Sequence, residues 1–434
     1  MRVTAINQPR FVIPLLLLCL FLLPPICMGQ HADAPSGVPA MSLGELVEQM
    51  QKNNPQLNQA EQSYVAAKSV VPQLMAWNNP QVGVSQNPLP GSRLYPGQSQ
   101  SFSYTLTQSF SFPGKKHLAG DIAEDQASIV KTQANSLYLQ LLAQLKNVFY
   151  QLLVLQRQSQ VNQDNIKRLE QIKQVAKVRY ANNSAAYVDY LNAQVAQSSA
   201  ENDEFALQRQ IDTARQTLNA LIGRNSLMPL AVKGDMSAQN LPKRSLEEIE
   251  NLAIENNPQV KSSALQVTAA HKGVDLAKKQ YLPDFQIVLT GNSDNSSWGF
   301  KGISNYGVEF DIVLPTWFFE KERAGVAEAN ANFLASKAGD QSIKQQTRLM
   351  VDSLYNTLTQ AVNQSTFIRT RQLEEAKTAY RLSLTNYANG GTAFADLLTA
   401  QNNLRTTELA LLQAEYSGVQ AYINLVAAVG TEVE

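Results

Sequence analysis

The chain has 434 residues, 44% of them hydrophobic, with 36 basic side chains balanced by 36 acidic ones, two cysteines and three histidines. Charge neutrality offers nucleic acid no electrostatic hold, so no nucleic-acid partner is expected. After residue 30 no run of 18 or more apolar residues occurs, which excludes a transmembrane helix there and leaves strands as the means of crossing a bilayer.

The first residues read as a targeting segment. Arg2 and Arg10 give a positive start, Phe11 to Leu23 is an apolar run, and Gly29 is a small residue suited to cleavage, so residues 1–29 are expected to be a signal peptide. Thirteen residues are too few for a membrane-spanning helix. A lipoprotein signal ending at Cys27 is the alternative, against which stands Pro25-Ile26, where small residues are needed. Cys19 and Cys27 both lie in this segment, so the mature chain is expected to have no disulfide or thiol chemistry.

The rest of the chain repeats itself. "RYANNSAAYVDYLNAQ" (Arg179 to Gln194) and "NYANGGTAFADLLTAQ" (Asn386 to Gln401) agree at eight of sixteen positions, 207 residues apart. Ser42-Leu43 with "NNPQL" (Asn53 to Leu57) returns 203 residues later as Ser245-Leu246 with "NNPQV" (Asn256 to Val260). Leu221-Ile222-Gly223 returns as Ala428-Val429-Gly430. Offsets this constant indicate one unit written twice with little insertion. The expected division is a first repeat over 30–223, an equatorial linker and start of the second repeat over 224–257, a second repeat over 258–430, and a tail over 431–434.

Each unit begins with a strand pair. Phe102, Tyr104, Leu106, Phe110 and Phe112 alternate with serines and threonines, Val82 and Val84 start a partner, and a Pro/Gly-rich turn (Asn87 to Ser99) joins them. In the second unit Phe285, Ile287 and Leu289 alternate in one strand and Tyr306, Val308, Phe310, Ile312 and Leu314 in the other, with a loop starting at Gly291 to Gly299. Hairpins packed on a soluble core fit the composition as well. Strand lengths of about nine to eleven residues, with nothing in the sequence to cover them, favour a tilted bilayer crossing. Four strands cannot close a barrel, so several copies must share one. Alternation then turns Glu309 and Asp311 into the lumen, where acidic side chains favour cations. Pairing of both with lysine or arginine across strands is the alternative.

Long helices follow. Gly114 to Tyr180 and Lys321 to Tyr387 are each 67 residues with two glycines and no proline, enough for rods of about 100 Å. Apolar spacing at Leu141, Leu145, Val148, Leu152 and Leu155, and at Leu397, Leu404 and Leu411, reads as packing seams. The return helices, Ala186 to Ile222 and Ala393 to Val429, are too short to run back the whole way. Gln56 to Trp77 and Gln259 to Gln280 are expected to stack end to end with them, and Arg224 to Asn257 to form an irregular belt. The repeated sixteen residues are then the far tips of the hairpins. Asn182, Asn183 and Ser184 make one turn, and Asn389, Gly390 and Gly391 the other. Asp189 and Asp396 stand in the first turn of the return helices, where the helix dipole favours a carboxylate.

With strand pair, long helix, tip and return in place twice, the chain resembles the TolC-like outer membrane efflux protein family over Ser42 to Gly430. The residues that carry the resemblance are the paired "NNPQ" helix starts, "SFSYTLTQSFSFPGK" (Ser101 to Lys115) and the two tips. "NNPQVGVSQNP" (Asn78 to Pro88) ahead of that strand is similar to the CzcC-like heavy-metal branch. The resemblance implies a mainly α fold with a small β part, in which long hairpins form a periplasmic helical barrel and each chain gives four strands to a shared transmembrane barrel. It also implies a homotrimer in outer membrane lipid, whose tips meet a periplasmic adaptor and through it an inner-membrane RND-type pump that exports metal cations or drugs. Family members often carry two inward aspartates at the second tip. Here Asp396 matches the first and Thr399 stands at the second, with Asp189 in the matching place of the first tip.

Enzymatic signatures are not found. His31, His117 and His271 are far apart and lack metal-ligand spacing, and no nucleophile elbow, phosphate loop or cofactor fingerprint occurs. No cofactor and no metal site are expected, and His117 reads as a surface residue. Two other readings stay open at this point, an exported helical scaffold with two hairpins and a porin that works without a pump.

Overall fold

The computed structural model describes residues 40–88, 99–235, 241–293, 303–317 and 319–433. The expectations for the signal peptide, the two cysteines, His31 and the centres of both strand loops lie outside these residues.

Two short helices open the repeats in the same way. Ser42 and Ser245 each cap a helix, α1 (Leu43–Asn53) and α5 (Leu246–Asn256), through a reciprocal capping box with Glu45 and Glu248. The linker expected to be irregular is therefore helical in its last third. Nearer its start, Met41 pairs with Val232 through bonds of 2.9 Å to Ala231 and Lys233.

The second asparagine of each "NNPQ" explains why that motif recurs. Asn54 and Asn257 cap the helices α2 (Pro55–Met75) and α6 (Pro258–Lys279), with proline at the first position, where a missing N–H costs nothing. Their carboxamide oxygens accept from Gln56 and Gln259, while their nitrogens donate across the fold to Leu221 and Ala428, each at 2.7 Å. Leu221 and Ala428 belong to the return helices α4 (Tyr187–Leu221) and α9 (Phe394–Val429). Beside them Gly223 and Gly430 have φ of +71° and +84°, and a Cβ there would press on the carbonyl oxygens of Asn53 and Asn256. One buried amide thus joins the lead helix to the return helix end to end, in both repeats.

The long helix α3 (Lys115–Ala181) is continuous over 67 residues. It packs against α2 and α6 towards the sheet and against α4 and α9 towards the tips. Leu141, Leu145, Leu152 and Leu155 lie in one apolar cluster with α1 and α4. Leu169, Ile172 and Ala176 lie in a second cluster near the tips. Between the two the same seam turns polar. Asn162 donates to the Ala200 carbonyl and to Glu204, Ser159 donates to Glu204, and Gln401 donates to Asn165.

The second long segment differs from the first. Instead of one helix over Lys321 to Tyr387 there are α7 (Lys321–Phe367), a π-helical turn (Ile368–Gln372) and α8 (Leu373–Ala388). A π turn carries an extra residue and so rotates the faces that follow it. Ile368 is buried there, and Arg369 pairs with Glu415 of α9.

Four antiparallel strands, β1 (Gln81–Pro88), β2 (Ser99–Phe110), β3 (Asp284–Ser293) and β4 (Ile303–Val313), form one sheet in that order. The register pairs Val82 with Leu106, Leu106 with Leu289 and Leu289 with Val308, so most of the apolar residues of the four strands share one face. On β4 that face is open, with Tyr306 81% and Phe310 75% exposed. Each such side chain left in water forgoes about 1.5–3 kcal/mol of burial, so this face is built for an apolar surrounding. Among the described residues no helix is long and apolar enough to cross a membrane.

Candidate functional site

The other face of the sheet is polar. Thr105, Thr107 and Ser109 of β2 stand beside Thr290, Val288 and Gln286 of β3, which stand beside Gly307, Glu309 and Asp311 of β4. Glu309 is therefore opposite Val288, and Asp311 opposite Gln286. None of the four strands contains lysine or arginine, so among the described residues no cation faces either carboxylate across the ladder. The strand acid that is paired is Asp284, at the helix end of β3, which lies 2.9 Å from Lys115 Nζ.

At the tips, helix ends and turns explain the repeated sequence. Ser184 N–H bonds the Arg179 carbonyl and Asn183 N–H bonds the Tyr180 carbonyl, and Gly391 and Gly390 make the same bonds to Asn386 and Tyr387. This is the Schellman ending, which needs one residue in the left-handed region. Asn183 fills that place at φ +54° and Gly390 at φ +82°. Asn182, Asn183, Ser184, Asn389, Gly390 and Gly391 are all exposed.

Where the two tips meet, they are tied together by residues at which the repeat breaks. Arg179, whose counterpart is Asn386, stacks over the Tyr387 ring at 4.4 Å and donates to the carbonyls of Tyr387 at 2.5 Å and Ser184 at 2.8 Å. The Tyr387 hydroxyl donates to Asp189 at 3.0 Å. Burial, and then the bond to the Asp189 carboxylate, pushes the Tyr387 phenol up to about 12. Sequence reasoning singled out Asp189 but missed Arg179 and Tyr387. The mismatch of Arg179 with Asn386 in an otherwise matched segment was the available signal.

The candidate gate residues are not brought together within one chain. Asp189 is engaged by Tyr387, while Asp396 is exposed in the first turn of α9. Thr399 is also exposed, and its hydroxyl donates back to the Ala395 carbonyl at 2.8 Å. His117 is an exposed partner of Asp121 at 3.3 Å. Among the described residues no cluster of three or more histidine, cysteine, aspartate or glutamate side chains could hold a metal ion.

Comparison with known proteins agrees with this architecture. Residues 46–224 and 250–431 match the family described as outer membrane efflux protein. The chain is 25% identical over 334 residues to toxin and drug export protein A of Aggregatibacter actinomycetemcomitans, covering 74% of this chain and 70% of that one. It is 22% identical over 293 residues to the cobalt-zinc-cadmium resistance protein CzcC of Cupriavidus metallidurans, covering 67% and 68%. Among solved structures it superposes on CusC with a TM-score of 0.79 at 16% identity, covering 93% and 96%. The outer membrane protein VceC of Vibrio cholerae gives 0.76 at 15%, covering 90% and 97%. The structural likenesses speak for the fold, and the family match takes in both halves of the chain. A sheet with one open apolar face, long helices beyond it and these matches together place the chain in the outer membrane efflux protein family, as an efflux channel of the outer membrane with its helices on the periplasmic side.

Proposed function

We propose that three copies of the chain close a single tunnel, and that this tunnel is the outer membrane part of a tripartite pump. The observation that carries the reading is the open sheet. Among the described residues β1 pairs only with β2 and β4 only with β3, so both edges offer unpaired backbone groups that lipid cannot satisfy. The helices repeat the pattern, since α2 and α4 pack chiefly on α3, while α7 packs on α6 and α9 at the other side of the layer. Different surfaces at the two flanks make a head-to-tail contact, which closes into a ring. Three copies give the twelve strands that the resemblance implies.

In that ring the polar sheet face lines the lumen and the apolar face meets lipid. Glu309 and Asp311, with no cation opposite, form acidic rings that favour cations. The tips Asn182–Ser184 and Asn389–Gly391 receive the adaptor, and through it an inner-membrane pump. Asp396, with Thr399 a turn further on, narrows the tunnel at the tip. Names of relatives point to drugs and toxins in one case and to cobalt, zinc and cadmium in another, and export of either class fits a lumen lined by hydroxyls and carboxylates. The test is planar-bilayer recording under a salt gradient. Native channels should prefer cations, and Glu309→Gln with Asp311→Asn should weaken that preference. Unchanged selectivity in the double variant would overturn the assignment of these residues to the lumen.

A further inference from the structure

We propose that the rim where the sheet meets the helices is a binding surface for the headgroups of anionic phospholipids. Its apolar part is aromatic. Trp77 lies edge-on to Phe110 at 5.3 Å, and Phe112 stacks on Phe285 at 6.2 Å. Phe110 and Phe285 are register partners on the lipid-facing side of the sheet. Trp317, just beyond β4, is 76% exposed.

Immediately on the helix side stand four bases, Lys116, Lys279, Lys321 and Arg323. The position of Lys116 is the best defined. Its Nζ donates to Asn78 Oδ1 at 3.0 Å, and the Asn78 carbonyl accepts from Gln108, whose place in the register is on the apolar face. The ammonium is thereby held beside Trp77 on the lipid side.

Charge at this level is unbalanced. Asp284 is paired with Lys115 and Asp275 with Lys278, whereas none of the four bases is in an ion pair among the described residues. Glu320 is exposed in the same turn as Lys321, and Glu322 is buried. Aromatic side chains settle at the membrane interface and long cationic ones reach past it to phosphate. Because the helices are periplasmic, the leaflet at this rim is the inner one. A zwitterionic headgroup would offer each base an ammonium along with its phosphate, and an anionic one leaves the phosphate unopposed.

This proposal rests on the placement of the sheet in the outer membrane, and the test separates the two. The full-length oligomer in mild detergent is mixed with phosphatidylglycerol or phosphatidylcholine of the same acyl chains, and retained lipids are counted by native mass spectrometry. Phosphatidylglycerol should be retained at least about tenfold better, as expected for several bases near one surface. Substituting Lys116→Gln, Lys279→Gln, Lys321→Gln and Arg323→Gln together should bring it down to the phosphatidylcholine level, with phosphatidylcholine retention unchanged. The exposed pair Lys321→Gln and Arg323→Gln should give a smaller loss in the same direction, and it decides the matter if the fourfold variant fails to assemble. Equal retention of both lipids by the native protein, or a preference that survives these substitutions, would overturn the proposal. So would displacement of phosphatidylglycerol by an equal concentration of inorganic phosphate, which would mean a phosphate site and not a lipid surface. Loss of both lipids from the native protein would instead mark failure of the membrane placement.

Discussion

A phenol sealed under a guanidinium and bonded to a carboxylate keeps its proton late. Tyr387 is 1% exposed, and its titration is pushed up to about 12, whereas an unfolded tyrosine ionises near 10. Between these values the unfolded chain loses this proton while the folded chain holds it. The contribution of Tyr387 to stability is therefore intact below about pH 10 and is lost as pH rises towards 12. Thermal melts of native protein and Tyr387→Phe at pH 9 and 11 should show a smaller loss in the variant, and equal losses would contradict the assignment. Asp396 tests the other tip. It is exposed in the first turn of α9, so Asp396→Asn should cost less than about 1 kcal/mol, the range of a helix-dipole contact. If three copies form a ring at the tip, the variant should pass anions more readily and be blocked less by divalent cations. Asp189→Asn should change conductance less. Reduced stability with unchanged block would leave Asp396 as a helix-start residue.

At the scale of elements, the glycines at the ends of the helices divide into two kinds. Gly223 sits at φ +71° with the Asn53 carbonyl oxygen 2.4 Å from where a Cβ would lie. Gly223→Ala should thus cost about 2 kcal/mol or more, from the conformation alone and then from the clash. Gly391 has ordinary φ, and a Cβ there would make only ordinary van der Waals contact, the Asn386 carbonyl oxygen being 3.6 Å away. Gly391→Trp should therefore fold and assemble normally while lowering efflux in a complementation assay, if the tip is the docking surface proposed above. Full efflux from a normally assembled Gly391→Trp protein would remove the tips from the contact. These element ends were legible in the sequence, since glycine and asparagine recur at them with constant offsets. Their partners were not, because the bond from Asn54 to Leu221 spans 167 residues and nothing local announces it.

For the molecule as a whole, the strand edges left unpaired among the described residues and the open apolar helix faces are what the proposed ring of copies would cover. Val195 and Phe205 of α4 and Leu349 and Leu382 of α7 and α8 are exposed in a single chain, and several such residues together outweigh the entropy of association only when the edges also pair. The protein should therefore run as a heat-modifiable trimer in mild detergent, converting to monomer on boiling. A stable monomer without heating would count against a shared barrel.

Periodicity and repetition carried the sequence reading far. A period of two set the faces of the strands, and glycine-poor stretches set the long helices. The duplicated motifs set two hairpins with two tips, because each depends on local geometry that neighbouring residues dictate. What the repeat could not decide was how its two copies differ once packed. Tyr180 and Tyr387 are equivalent in sequence, yet Tyr180 is 46% exposed and Tyr387 is buried under Arg179. Gln194 and Gln401 are likewise equivalent, and only Gln401 is buried, bonded to Asn165. The π turn that breaks the second long helix has no counterpart in the first. The first two differences arise because α3 has α4 on one side and α9 on the other, so the two hairpins meet unlike neighbours although their sequences match. Local sequence specifies the elements, and which of two identical side chains is buried depends on contacts about 200 residues away, which only the folded chain brings into reach.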